Sequence, residues 1–140
     1  MQNKNNIFIL TDKSFLKYDP KTSVAIDYNS ITDGASFLVI NIYFEASEAF
    51  NINWNLNKKS LNIKEGTQSL TNKYTSICTH VSIFSHHCYL LIDDYSNKDI
   101  GEYSAVITLK ENPNVTISLN ALVIKPSKKL DVSQIYSIKD

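Results

Sequence analysis

The stretch "FNINWNL" (50–56) alternates without a break, placing Phe50, Ile52, Trp54 and Leu56 on one face and three asparagines on the other. A period of two puts one face in a core and the other in water, so it predicts a half-buried strand. "SFLVINIYFEA" (36–46) follows the turn signal "TDG" and reads as a longer strand with Leu38, Ile40, Ile42 and Phe44 on one face. "TSVAI" (22–26) reads as a short strand, and "NKKSLNIKEG" (57–66) as a turn and a short edge strand. "YTSICTHVSIF" (74–84) and "HHCYLLID" (86–93) form one hairpin. "GEYSAVITLKE" (101–111) and "NVTISLNALVIKP" (114–126) form a second, across the Pro-Asn turn in "ENPN".

Short β-branched and aromatic runs about ten residues apart, with no long helical period, predict an all-β antiparallel sandwich. The expectation is seven to nine strands over residues 21–126, with Pro126 ending the domain. Residues 1–20 read as an N-terminal strand or linker and 127–140 as a C-terminal tail or linker.

Composition narrows the partners. The 140 residues carry 14 basic and 14 acidic side chains, for a formal net charge of zero. A nucleic-acid surface needs a basic excess, so none is expected. No apolar run reaches the roughly 18 residues that span a bilayer, so no membrane insertion is expected in this segment. The N-terminal apolar core is only "IFIL" (7–10), short for a secretory signal. The expected location is therefore cytoplasmic, with an extracellular or cell-surface location as the alternative if a signal has been trimmed.

The densest chemistry is "CTHVSIFSHHC" (78–88). A hairpin centred on Ile83 sets Cys78 opposite Cys88 and His80 opposite His86, all on one face. Two cysteines and two histidines are the ligand set of a structural zinc site, which makes these four a weak metal candidate. A cross-strand Cys78–Cys88 disulfide has similar geometry. The plainest reading, and the one expected, is two free thiols packed as small apolar groups beside solvated histidines. His87 and Cys88 are sequence neighbours and point to opposite faces, so they form no nucleophile pair, and Asp93 and Asp94 diverge likewise. With no Gly-rich phosphate loop and no Ser-His-Asp arrangement, no enzyme activity and no cofactor are expected. Asn114-Val115-Thr116 is a glycosylation sequon at the second hairpin turn.

Residues 20–126 resemble an immunoglobulin domain. Trp54 resembles the core tryptophan of strand C, and "WNLNKKSLN" the C–C′ stretch of intermediate-set domains. "LLIDDYSNKDIGEY" (90–103) resembles the E–F stretch, with Leu90 and Ile92 inward, Tyr95 at the corner, then Asp99, Gly101 and Tyr103. "ALVIKP" (121–126) resembles strand G. The resemblance implies a tyrosine corner at Tyr103, a tight turn at Gly101, and a Lys73–Asp99 pair. It also implies that Ile42 and Ala105 occupy the places of the usual inter-sheet cystine, filled here by packing. The 63 positions between them are closer to a variable-type domain, and the extra length is a C″ strand or a long D–E hairpin.

Such domains bind proteins. The resemblance implies a non-enzymatic protein-binding module, expected to be a structural or docking unit of a cytoskeletal or muscle filament, like titin-like modules, with possible neighbouring immunoglobulin-like domains. The alternative is an ectodomain of an adhesion or immune-type receptor, like the CD2-like first domain, or a viral mimic of one. The expected contact face lies on strands C, F and G, with Asn51, Asn53, Asn55, Ser104, Val106, Thr108, Ala121 and Val123 outward and Val106 and Val123 as its apolar centre.

Overall fold

The computed structural model describes residues 13–28, 37–63, 67–68 and 73–124. Alternation builds ten strands there: β1 Leu16–Lys17, β2 Val24–Asp27, β3 Leu38–Ala46, β4 Phe50–Leu56, β5 Lys59–Ser60, β6 Thr67–Gln68, β7 Tyr74–His80, β8 Ser85–Ile92, β9 Gly101–Leu109 and β10 Thr116–Val123. Nine of the ten, β2 to β10, fall within residues 21–126, as the expected seven to nine strands allow, and β1 comes from the N-terminal segment. Pro126 and the C-terminal segment lie outside the described residues.

Two antiparallel sheets result. One runs β1-β3-β8-β7-β6, with β2 also on β3; the other runs β10-β9-β4-β5. In strand letters these are A-B-E-D and G-F-C-C′, so the fold is an immunoglobulin-like sandwich. β1 and β2 are two pieces of strand A on one edge of β3, pairing Leu16 with Ala46 and Val24 with Ile42. A turn through Pro20 separates them, held by Ser23 N–H donating to Asp19 O at 2.8 Å. β6 pairs with β7, Thr67 opposite Ser76. Among the described residues the extra length thus adds β6 to the first sheet, and no C″ strand pairs with β5.

The core lies between the sheets. Leu38, Ile40, Ile42 and Phe44 of β3, with Cys88, Leu90 and Ile92 of β8, face Ile52 and Trp54 of β4, Ala105 and Ile107 of β9, and Leu119, Ala121 and Val123 of β10. Trp54 is fully buried, and its Nε1 donates to Ser76 Oγ on β7 at 2.9 Å. That bond crosses the sandwich from β4 to β7 and satisfies the one polar group the indole carries into the core. Ile42 and Ala105 are buried beside it, on β3 and β9.

Below the core sits the corner. Asn97–Asp99 forms one 3-10 turn capped by Ser96, whose hydroxyl accepts from Lys98 N while Asp99 accepts from Ser96 N. Lys73 Nζ lies 2.9 Å from Asp99 Oδ2. Tyr103 Oη donates to Asp99 O at 2.7 Å, and Tyr95 Oη to Ile124 O at 2.8 Å. Gly101 stands where a Cβ would meet Leu56 Cδ1 and the Asn57 amide within 2.9 Å. Its role is close approach to the β4–β5 turn, in which Asn57 and Lys58 both take positive φ, the mirror-image hairpin geometry.

Candidate functional site

At the opposite end of the sandwich, the β7–β8 hairpin turns through residues 81–84, closed by Val81 N–H donating to Ser85 O at 2.8 Å. Three of these four residues are large and apolar, and they stand in water: Val81 is 66% exposed, Ile83 81% and Phe84 46%. Phe84 is steadied edge-on against Phe15, with ring centres 5.5 Å apart. Clustered exposed apolar side chains on a loop tip mark a contact surface more often than single ones do.

Beneath the tip the register sets His80 opposite His86 and Cys78 opposite Cys88. Cys78 and Cys88 are joined by a disulfide, their Cα atoms 3.9 Å apart, and no free cysteine is present among the described residues. This corrects the expectation of free thiols. The two residues lie directly across an antiparallel pair, where side chains approach most closely. The bond sits within one sheet, between β7 and β8, while Ile42 on β3 and Ala105 on β9, the pair expected in place of an inter-sheet cystine, are both buried.

The four-residue metal candidate changes accordingly. Bonded sulfurs are not thiolates, so Cys78 and Cys88 cannot ligate in this state. Among the described residues no group of three or more His, Cys, Asp or Glu is placed to hold a metal. The two imidazoles do come together: His80 and His86 have ring centres 4.6 Å apart and tilted by 50°. His86 is also packed against Phe44 and, edge-on, against Phe50. Burial, and then the neighbouring His80, push the His86 imidazole below its ordinary pKa. A cleft of about 450 Å³ opens here, lined by Glu48, Phe50, Cys78, His80, Ile83 and His86 among others.

His87 points to the opposite, outer face. Its Nε2 is 2.8 Å from Asn41 Oδ1 and its ring stacks on Tyr43 at 4.5 Å. Burial lowers its pKa as well. Asp93 and Asp94 are exposed at the strand end, with Asp94 N–H donating to Asp93 Oδ1.

The outer face of strands C, F and G is polar. Asn53 is exposed and sits opposite Val106, itself half-buried; Asn55 sits opposite Ser104. Ser60 Oγ donates to Asn53 Oδ1 at 3.1 Å. Val123 is fully buried and Ala121 nearly so, which corrects their expected outward placement. Ala121 pairs with Tyr103 and Val123 with Gly101, so both share the inward phase of β9. The outward apolar residue on β10 is Leu122, 64% exposed, continued by exposed Ile124. Asn114 is exposed in the β9–β10 turn.

Sequence reasoning passed over the 81–84 tip. Its signal was present: three apolar residues in a segment too short to be anything but a loop.

No family model and no curated protein matches the chain. Among solved structures it is similar to the Dscam1 Ig7 domain, isoform 9, with 19% identity and a TM-score of 0.46 over 73% of this chain and 96% of that one.

Proposed function

We propose that this chain is a non-enzymatic immunoglobulin-like recognition module of an oxidising compartment: an ectodomain of an adhesion or immune-type receptor, or a viral mimic of one, that binds another protein. The observation that carries the reading is the Cys78–Cys88 disulfide. Such bonds persist outside the cytosol and are rare within it. A filament module in a reducing compartment would keep its cysteines as thiols, and the described residues include no free cysteine. Exposed Asn114 in a turn suits a glycan in the same compartment.

Two surfaces are offered to a partner. The 81–84 tip presents Val81 and Ile83 on a hairpin braced by the disulfide. The C, F and G face presents Val106 among Asn53 and Asn55, with Leu122 in the place expected of Val123. Residues 21–126 are the proposed domain, with Leu16–Lys17 of the preceding segment paired to its β3 edge.

The test is a binding scan of the oxidised, multimerised protein against an array of purified ectodomains. Saturable binding that is lost in Ile83→Asp or in Val106→Asp, each verified as folded, supports the reading and names the surface. Binding that survives both substitutions removes both surfaces from the proposal. An absence of any ectodomain partner, together with free thiols in the protein from its own cells, returns the chain to a reducing compartment.

A further inference from the structure

Buried polar side chains are almost always hydrogen-bonded, and an exception calls for a reason. His86 is such an exception. It is 8% exposed, its contacts are to the rings of Phe44, Phe50 and His80, and its imidazole makes no hydrogen bond among the described residues. The ring borders the cleft that also takes in His80 and Glu48.

We propose that this cleft holds a divalent transition-metal ion of the zinc class, chelated by the imidazoles of His80 and His86, with water in the remaining positions. Zinc binds imidazole nitrogen at about 2.0–2.1 Å. Two rings aimed at one zinc at a tetrahedral angle place their centres about 5 Å apart. The observed centres are 4.6 Å apart. The pair lies directly across β7 and β8, and the disulfide joins the same two strands two cross-strand pairs further on, beyond Thr79 and His87. The two strands that carry the ligands are therefore fixed relative to one another before the ion arrives, which lowers the ordering cost of binding.

Charge favours a cation. Among the described residues no Lys or Arg lines the cleft and Glu48 does, its carboxylate accepting from Ser14 Oγ at 2.8 Å. Imidazole is a borderline ligand that suits zinc, copper and nickel over calcium or magnesium. A ligating imidazole is neutral, and burial disfavours the charged form of His86. The site is independent of the recognition role and uses the oxidised protein as it stands.

The experiment titrates zinc chloride into the chain at neutral pH by calorimetry, after a thiol assay has shown the disulfide intact. Imidazole nitrogen NMR is followed in parallel, with His87 as the internal control. The expected result is saturation at one zinc per chain, with shifts at His80 and His86 and none at His87. His80→Gln alters an exposed residue, leaves the fold intact, and weakens binding at least about tenfold, the lower end of what even outer-shell partners contribute. His86→Gln, checked for folding, does the same. No saturable uptake, or equal affinity in His80→Gln, overturns the proposal. Uptake that appears only after reduction assigns the metal to the thiolates and overturns it equally.

Discussion

The two ends of this sandwich solve opposite problems. At the corner end every polar group singled out above has a partner. Asp99 is buried yet takes Lys73 Nζ and Ser96 N, both at 2.9 Å, and its carbonyl takes the Tyr103 hydroxyl. At the hairpin end a buried imidazole makes no hydrogen bond among the described residues, and Val81 and Ile83 stand in water. The first arrangement spends its chemistry on closing the fold. The second leaves unmet contacts of both kinds, polar and apolar, beside a covalent brace. Unmet contacts held rigid are what a binding surface requires, and satisfied ones are what a corner requires.

The comparison can be broken by substitution, beginning with the residue both ends share. Trp54→Ala removes the core's largest side chain and orphans Ser76, and is expected to cost about 3–5 kcal/mol in denaturant unfolding. A loss below about 1 kcal/mol is incompatible with the core described here. Replacing Cys78 and Cys88 together by Ala is expected to cost about 2–4 kcal/mol by freeing the unfolded chain. The corner keeps its protection in hydrogen exchange, and protection falls in β7 and β8. Equal loss at both ends means they are one cooperative unit. Lys73→Met leaves the Asp99 carboxylate without its cation and is expected to cost about 2 kcal/mol, below the full cost of breaking a buried pair because Lys73 is a quarter exposed. Adding Asp99→Asn should recover part of that loss, and no recovery means the ion pair is not what Lys73 contributes.

The corner also predicts an alkaline limit. Burial first, then Tyr74, Asp99 and Tyr95, hold the Tyr103 hydroxyl well above its ordinary pKa, and burial raises Tyr74 and Tyr95 too. A phenol whose pKa is raised by folding gives stability that is complete below its unfolded value near 10. That stability is lost as pH climbs from there towards the folded value. Stability should therefore fall above pH 10, and Tyr103→Phe should flatten the fall while costing about 1 kcal/mol at neutral pH for its hydrogen bond. An alkaline fall unchanged in Tyr103→Phe places the titration elsewhere. The smallest effect belongs to the tip: Ile83→Ser should change stability by under about 0.5 kcal/mol, as exposed sites do. A larger cost means the tip is packed and not available to a partner.

Legibility in the sequence followed the same division. The Asp-x-Gly-x-Tyr string at 99–103 marks the corner because each residue meets a local geometric need that few others meet. The register of Cys78 with Cys88 and His80 with His86 followed from one assumption, a hairpin centred on Ile83. The phase of β10 did not follow. "ALVI" (121–124) is apolar on both faces, and the choice between Val123 and Leu122 is made by pairing with β9. Ser76 was hidden for a related reason. Pairing with Leu90 and Cys88 of β8 turns Ser76 and Cys78 inward, and a serine on a core face gives no sign along the chain that the Trp54 N–H is its partner. The state of the two sulfurs rests on how closely the strands bring them together, and spacing along the chain does not report that.

The most direct test of the recognition account is the oxidation state of the protein from its own source. The chain is alkylated without reductant, denatured, digested and mapped. The account predicts no alkylated cysteine and one linked peptide pair joining Cys78 to Cys88. Two alkylated thiols contradict it, and with it the placement of this domain in an oxidising compartment.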